Sequence, residues 1–434
     1  MLARRRFSRN LIPWLGGLVL FAGCLAAEAA DYYVSLSGHD GNAGSPAAAW
    51  RTLQKAAATL QPGDRVSIED GVYPGGVIHR TPGRRDAPIV YKALGRAAVV
   101  DGSGIQNRDA FFIDQAHYVT LDGIQVRNAQ RAGVRVSLAD HVQIRNGVFA
   151  DNRVWGIFSD YANDLVIEGN EVYGSKTQHG IYVSNSGDRP IIRRNNIHDN
   201  AQAGIQINAD PALLRLELGE SGDGITTGAI VERNVIYDNG EKGAAGINLA
   251  SVRYSRIVNN LLYHNLAGGI AGWGDGNGPE WGCQENLFAH NTIVFRPGRG
   301  RFAISLKEGS TGNLAVNNIL VEGAGGLEFD STSGPPKSDH NLFFMSARQY
   351  VVQNATSGVR YTLQAWQRSG HDVHSIAADP RFVAPIIGNF RLLSDSPART
   401  AGAVFPDVPA DLDGVPRPRN SQPDLGAYQQ PLER

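Results

Sequence analysis

His179 and Tyr182 lie together in the short polar stretch KTQHGIYVSNSGD and have side chains that can transfer protons. A histidine and a tyrosine placed side by side can act as base and acid in an elimination reaction. Lys307, in the segment FAISLK, is a further possible base, because a neutral lysine amine accepts a proton. Each residue also has an ordinary interpretation, as a turn histidine beside a stacking tyrosine or a lysine in a solvated salt bridge. These three are the candidate catalytic residues.

Four acidic residues could meet near these groups, namely Asp160, Asp210, Asp275 and Glu280. Calcium prefers several oxygen ligands, and the segment DGNGPE alone offers Asp275, Asn277 and Glu280. Asp-Gly and Asn-Gly steps are also common in ordinary turns. The acids could instead work in pairs, Asp160 with Asp210 or Asp275, because glycoside hydrolysis needs two carboxyl groups at a set distance. The sequence therefore allows a calcium site, an acid pair or plain turn chemistry.

Aromatic and amide side chains near these acids could bind a sugar. Trp273 and Trp281 flank the DGNGPE segment and could stack on sugar rings or anchor the loop. Gln206, Asn208 and Asn248 could hydrogen-bond sugar hydroxyls. These five are the candidate substrate-binding residues.

A repeat runs through the region that contains these residues and must position them. A Gly-Ile pair or a close variant recurs at steps of 23 or 24 residues, with one step of 42. The segments are WGIFSD at Gly156, HGIYVS at Gly180, AGIQIN at Gly204, AGINLA at Gly246 and GGIAGW at Gly269, and FAISLK and GGLEFD continue the column. Short alternating strands at such a period predict a solenoid, in which each repeat is one rung about 4.8 Å above the last.

Each repeat also contains a second segment that ends in asparagine. The positions are Asn170, Asn195, Asn234, Asn260, Asn291, Asn318 and Asn341. Asparagines stacked at one turn can hydrogen-bond along the column and tolerate left-handed backbone, so we interpret them as structural. The predicted fold is all-β, a right-handed single-stranded parallel β-helix. Its exposed N-terminal end needs a cap, and WRTLQKAAATLQPGD predicts a capping helix with Leu53, Ala56, Ala57 and Leu60 on its apolar face.

The strand alternation predicts which residues face outward. The second and fourth positions after each glycine give two outward columns: Phe158, Tyr182, Gln206, Asn248, Ala271 and Ser305, then Asp160, Ser184, Asn208, Ala250, Trp273 and Lys307. Two insertions, from Ala209 and Gly274, leave the same sheet edge two rungs apart. Because solenoid insertions commonly decorate the binding face, we expect them to form the two walls of a cleft around the rung of Asn248.

The first thirty residues are typical of an export signal. A basic start, MLARRRFSRN, precedes an apolar run, LIPWLGGLVLFAG, that is too short to span a membrane. The basic part resembles the twin-arginine type, and AEA at Ala27 to Ala29 fits a cleavage site. FAGC, ending at Cys24, leaves a lipoprotein anchor as the alternative. We expect an extracytoplasmic protein, periplasmic or secreted.

The remaining chain divides into a β-helix with its cap, residues 31–378, and a turn-rich capping tail, residues 379–434. Without residues 1–30 the formal charge would be −4, which leaves no basic footprint for nucleic acid.

Cys283 would then have no cysteine partner for an internal disulfide. No Cys/His set has zinc spacing. We expect a monomer without a transmembrane span.

The mature start, from DYYVSLSGHDG to EDGVYPG, and the rungs with GI and NN signatures resemble bacterial right-handed β-helix proteins of the pectate-lyase superfamily. The extracellular lysine-base pectate lyases and their uncharacterised relatives look most alike, and DLDGVPRPRNSQPDLGAYQ is similar to the closing segment of many exported β-helix proteins. The resemblance implies action on an acidic polysaccharide, often by calcium-assisted β-elimination. In that reaction the cation neutralises a uronate carboxylate while a lysine or arginine removes the C5 proton.

The family's catalytic motifs do not match this sequence. An acidic calcium cluster followed by a catalytic lysine, the paired aspartates of polygalacturonases and the DPHD motif of mannuronan epimerases are all missing. No catalytic residue is therefore carried over. We predict a polysaccharide lyase that cleaves an acidic polysaccharide, with a non-catalytic glycan-binding or envelope protein and a glycoside hydrolase as alternatives.

Overall fold

The computed structural model describes residues 29–346 and 349–431 and shows a parallel β-helix. Nearly all of the predicted export signal, including Cys24, lies outside the described residues. Among the described residues, no helix is long and apolar enough to cross a membrane. The chain coils through three sheets, which we call sheets A, B and C in the order in which each rung passes through them.

Within these three sheets the strands pair in parallel with the next rung, apart from the last strand of sheet C. Sheet A contains Asp31–Val34, Arg65–Ile68, Ile89–Ala93, Val119–Asp122, Gln143–Arg145, Val166–Glu168, Ile191–Arg193, Ile230–Glu232, Arg256–Val258, Leu287–Ala289, Leu314–Val316 and Lys337–Asp339. Sheet B contains Gly71–Pro74, Ala98–Asp101, Gln125–Arg127, Val148–Ala150, Glu171–Tyr173, Asn196–His198, Val235–Tyr237, Leu261–Tyr263, Thr292–Val294, Ile319–Val321, Leu342–Phe344 and Ile376–Ala377. Sheet C contains Val77–His79, Phe111–Asp114, Ala132–Ser137, Trp155–Asp160, Ile181–Ser184, Ile205–Asn208, Ala245–Ala250, Gly268–Trp273, Phe302–Leu306, Gly325–Phe329, Tyr350–Asn354 and Arg360–Thr362.

The repeated Gly-Ile segments are the strands of sheet C, and their isoleucines form a single interior stack. Ile181 pairs with Ile205, Ile205 with Ile247, and Ile247 with Ile270 on successive rungs. These side chains are at most 1% exposed. The outward column follows the predicted order, because Tyr182 pairs with Gln206 and Gln206 with Asn248.

The seven predicted asparagines form one continuous buried ladder. Each Nδ2 donates to the Oδ1 of the next asparagine, at 3.0 to 3.1 Å, from Asn170 to Asn341. The left-handed backbone lies one residue earlier than expected, for example at Arg233 (φ 55°) before Asn234. The preceding residue turns the chain, so the ladder asparagine can aim its amide inward. A second ladder, through Asn200, Asn239 and Asn265, was not predicted.

Short helices close the two ends of the solenoid. The N-terminal helix Leu53–Thr59 is capped by Thr52 Oγ1, which accepts from Lys55 N at 3.1 Å, and Leu53 and Ala56 are fully buried. At the far end, Leu363–Arg368 buries Trp366 against the same core. Short 3₁₀-helical segments occur at Pro211–Leu213, Leu216–Gly222, Pro279–Trp281 and Pro385–Ile387, and the second of them is kinked at Gly219.

The C-terminal tail packs along the outside of the last rungs. Phe390 and Leu425 lie in one apolar cluster with Ile319 of sheet B, while Val408 packs on Val258 of sheet A. Two small sheets complete the described fold, Thr226–Thr227 with Val252–Arg253 and Phe382–Ala384 with Asn389–Leu392.

Candidate functional site

A cavity of about 330 Å³ opens on the outward face of sheet C. Five of the candidate residues line it: His179, Gln206, Asn248, Trp273 and Lys307. They come from rungs spread along the solenoid, and the strand register brings them together. None of the residues that line the cavity comes from the tail.

Two amide side chains in the floor of the cavity are held in place by a hydrogen bond. Asn248 Nδ2 donates to Gln206 Oε1 at 2.7 Å, and Gln206 is only 5% exposed. The Trp273 indole lies at the edge, and its buried Nε1 has no hydrogen-bond partner within the described ranges. Because Nε1 is buried, the part of Trp273 that can contact a bound sugar is the ring itself.

Lys307 lies directly after the strand Phe302–Leu306, on the same edge as Trp273. Its Nζ is 3.3 Å from Glu328 Oε2, which also accepts from Ser305 Oγ at 2.6 Å. The Lys307 side chain remains 41% exposed, whereas that of Glu328 is 13% exposed. The ion pair thus orients the amine without burying it.

His179 is arranged as a hydrogen-bond donor rather than as a base. Its Nδ1 accepts from the backbone N–H of Ala203 at 3.2 Å. Burial lowers its pKa to about 4, so the ring is neutral at neutral pH. A neutral imidazole carries one proton, which must then be on Nε2. Elimination chemistry would therefore need another base.

Tyr182 lies beside the cavity and does not line it. Its ring packs edge-on against His179 at 5.2 Å between centroids, and its hydroxyl donates to Asp210 Oδ2 at 3.4 Å. Burial, and then the charge of Asp210, raise the pKa of the phenol. Tyr182 therefore stays protonated.

The two inserted loops meet, and so they form one wall instead of two. Asn208, the last strand residue before the first loop, donates from Nδ2 to Asp275 Oδ2 of the second loop at 3.0 Å. Further out, a Cβ at Gly224, where φ is +79°, would lie 3.0 Å from the Trp281 ring. Loops only two rungs apart start about 10 Å from each other, which is too close to leave a cleft between them. The cavity lies beside this wall, over the sheet itself.

The four candidate calcium ligands do not converge. Asp160 binds Arg135, with Oδ2 at 3.1 Å from Nη2, and accepts from Ser137 Oγ. Asp210 accepts from Ser184 Oγ at 2.7 Å, and burial followed by the charge of Asp275 raises its pKa. Glu280 is exposed on the second loop. Asp160 and Asp210 thus accept from side-chain donors, and among the described residues these four acids do not gather into a group of metal ligands.

The cavity lining does not suit calcium either. Glu328 is its one carboxylate, and Lys307 and Ser305 already hold it. Across the described residues, a single group of three possible metal ligands comes together, Asp339, His340 and His374, on the last rung of sheet A. It lies outside the cavity lining.

Comparison with known proteins agrees with this architecture. Residues 32–167 match the family model described as Pel9A-like, right handed beta helix region. The crystal structure of pectate lyase Pel9A superposes with a TM-score of 0.60 over 93% of this chain and 96% of that one, at 17% identity. An alginate lyase from Paenibacillus sp. gives 0.55 over 65% of this chain and 96% of that one, at 22% identity.

The chain has the pectate-lyase fold. This right-handed β-helix also has curated relatives by sequence over a shorter region. A mannuronan C5-epimerase of Pseudomonas syringae pv. tomato is 30% identical over 123 residues, which is 28% of this chain and 19% of the relative. The mannuronan C5-epimerase AlgG of Azotobacter vinelandii is 32% identical over 143 residues, which is 31% and 27% of the two chains. The chain spans about a fifth to a quarter of the length of these relatives.

Sequence reasoning missed three charged residues that line the cavity of this β-helix, Lys242, Arg301 and Glu328. Glu328 is the next member of the outward column, since it pairs with Ser305. The segment GGLEFD therefore contained the signal that could have found it. Lys242 and Arg301 lie on turns before strands, on the edge opposite the insertions, where the repeat pattern carries no information.

Proposed function

We propose that this β-helix acts on an acidic polysaccharide by removing the C5 proton of a uronate, and that β-elimination follows. The observation that carries the proposal is the cavity on sheet C that the Lys307 side chain lines together with the amides of Gln206 and Asn248 and two further cations. A cleft lined by cations attracts a polyanion, and amides with an indole suit the hydroxyls and faces of sugars.

Lys307 is the proposed base. In the unliganded site Lys307 is paired with Glu328, so its proton first passes to that carboxylate. The neutral amine then takes the C5 proton, the C–H electron pair becomes the C4–C5 double bond, and the C4–O bond to the leaving sugar breaks. The ammonium so formed returns the proton to the leaving oxygen, which balances the reaction. Gln206, Asn248 and Trp273 hold the sugar, and His179 donates a hydrogen bond from Nε2.

C5-epimerisation is the second candidate, favoured by the curated relatives, which are named mannuronan C5-epimerases. It shares the first step with elimination. The two reactions diverge afterwards, when the carbanion either expels the C4 oxygen or takes a proton on its other face.

The test is incubation with pectate, alginate and glycosaminoglycans in D₂O, with and without calcium. Ultraviolet absorbance of an unsaturated uronate would establish the lyase, while deuterium at C5 without that absorbance would establish the epimerase. Lys307→Met should abolish either signal, and Lys176→Met, an exposed lysine outside the cavity, should not. New reducing ends without either signal would indicate a hydrolase. Retention on a glycan with no turnover would indicate a binding protein and refute the proposal.

We also propose an extracytoplasmic location from the N-terminal segment. The chain would meet such a polymer there. Fractionation of cells that express the whole chain, with labelling for a lipid on Cys24, tests location and anchoring together.

A further inference from the structure

Two cations line the cavity on the edge that faces away from Lys307. Lys242 precedes the strand Ala245–Ala250, and Arg301 directly precedes the strand Phe302–Leu306. Both are exposed, and no carboxylate in the described part of the chain lies within ion-pair distance of either. Charged side chains without a partner at the rim of a cavity are available to a ligand.

The backbone fixes both positions. Lys242 N donates to Ala201 O at 2.8 Å, and Arg301 O accepts from Ala324 N at 2.8 Å, so each turn is tied to a neighbouring rung. The guanidinium leans back toward the turn of Lys242, since a Cβ at Gly243 would lie 3.5 Å from Arg301 Nη2. The two cations therefore act from one place on the rim.

Arg301 and Lys307 flank the same strand from its two ends. Six residue steps separate their Cα atoms by about 20 Å along the sheet. A separation of this length leaves room for a sugar ring between the two side chains. A ring with C5 at Lys307 could thus direct its carboxylate toward the opposite rim.

The proton at C5 becomes acidic only when the adjacent carboxylate is neutralised, and the family resemblance assigns that task to calcium. The cavity presents the opposite charge: three cations and one carboxylate, Glu328, which Lys307 and Ser305 already occupy. A guanidinium, by contrast, binds a carboxylate through two parallel hydrogen bonds.

Resting on the proposed function, we propose that Arg301, assisted by Lys242, binds and neutralises the uronate carboxylate, so that this chain needs no calcium. Neutralisation by Arg301 differs from the calcium-assisted reaction that the family resemblance implies, and the presence or absence of calcium distinguishes the two. It also makes the carboxylate, rather than the sugar hydroxyls, the main determinant of binding.

The experiment separates binding from turnover by using the Lys307→Met chain. Binding of saturated oligogalacturonate, oligoalginate and their carboxyl-reduced forms is measured by calorimetry in EDTA and again in calcium. We expect the oligouronate that serves as ligand to bind in EDTA and its carboxyl-reduced form to bind about ten- to a hundredfold more weakly. When Arg301→Gln and Lys242→Gln are added to the Lys307→Met chain, the oligouronate and its carboxyl-reduced form should bind equally well. Arg299→Gln, an exposed arginine on the same turn that does not line the cavity, is the matched control and should change nothing.

Three results would overturn the inference. They are binding that EDTA abolishes and calcium restores, binding that Arg301→Gln affects no more than Arg299→Gln, and absence of binding to every oligouronate. If the carboxylate preference is present but the wild-type chain shows no C5 exchange or elimination, the carboxylate site stands and the proposed activity fails.

Discussion

His179 should make the fold sensitive to acid, and the size of the effect follows from its burial. The side chain is 9% exposed, and burial lowers its pKa from 6.5 to about 4. Above pH 6.5 the ring is neutral in the folded and the unfolded chain, so it costs nothing. As the pH falls from 6.5 toward 4, the unfolded chain binds a proton that the folded chain does not, and stability is lost. At pH 5 this single site should lower the free energy of unfolding by about 2 kcal/mol relative to pH 7.

The perturbation is His179→Gln, because a glutamine oxygen can still accept from the Ala203 N–H. Denaturant unfolding, followed by circular dichroism at pH 7, 6 and 5, gives the free energy for each chain. The wild type should lose about 2 kcal/mol more than His179→Gln between pH 7 and pH 5. His79 and His290 are also buried with lowered pKa values, so the difference between the two chains, rather than the total loss, reports on His179. His39→Gln, at an exposed site, is the control and should follow the wild type. Equal losses in the wild type and His179→Gln would refute the buried neutral histidine.

Other predictions follow from the same structure. Lys307→Met should reduce turnover by about a hundred- to ten-thousandfold, because it removes the proposed base, and a smaller loss would refute that role. Asn234→Ala should lower the free energy of unfolding by about 3 kcal/mol, since it leaves the N–H groups of the neighbouring buried asparagine without an acceptor. Asn420→Ala, at an exposed site in the tail, is its control. If the two variants unfolded at the same urea concentration, the ladder would not contribute to stability as proposed. Burial raises the pKa of the Cys283 thiol to about 11, so a thiol reagent should modify it only in denaturant, and rapid labelling of the native chain would contradict its burial.

The fold could be predicted because its signals are local and repeated. The Gly-Ile segments gave sheet C and its inward stack, since the side chains of a strand alternate at every second residue. The asparagine ladder was predictable for the same reason, as each rung repeats one turn. The left-handed position one residue earlier was not, because both residues of an Asn-Asn or Arg-Asn pair could adopt it.

The candidate site could be predicted only in part. His179, Gln206, Asn248, Trp273 and Lys307 line one cavity because each occupies a position close to the repeat. The insertions follow no repeat, so nothing in the sequence indicated that Asp275 would bond to Asn208 and close the expected gap. How far a loop leans, and what it touches, depends on contacts between residues far apart in the chain.

The sequence by itself determined the coil, its register and the order of the side chains on each face, because a fixed period makes residues two dozen apart vertical neighbours. Only the tertiary structure decided where the cavity lies, that His179 holds its proton on Nε2, and that Lys242 and Arg301 join Lys307 around one space. Those outcomes depend on distances across the sheet and on burial. Both arise only when the rungs have stacked and the loops have packed against them.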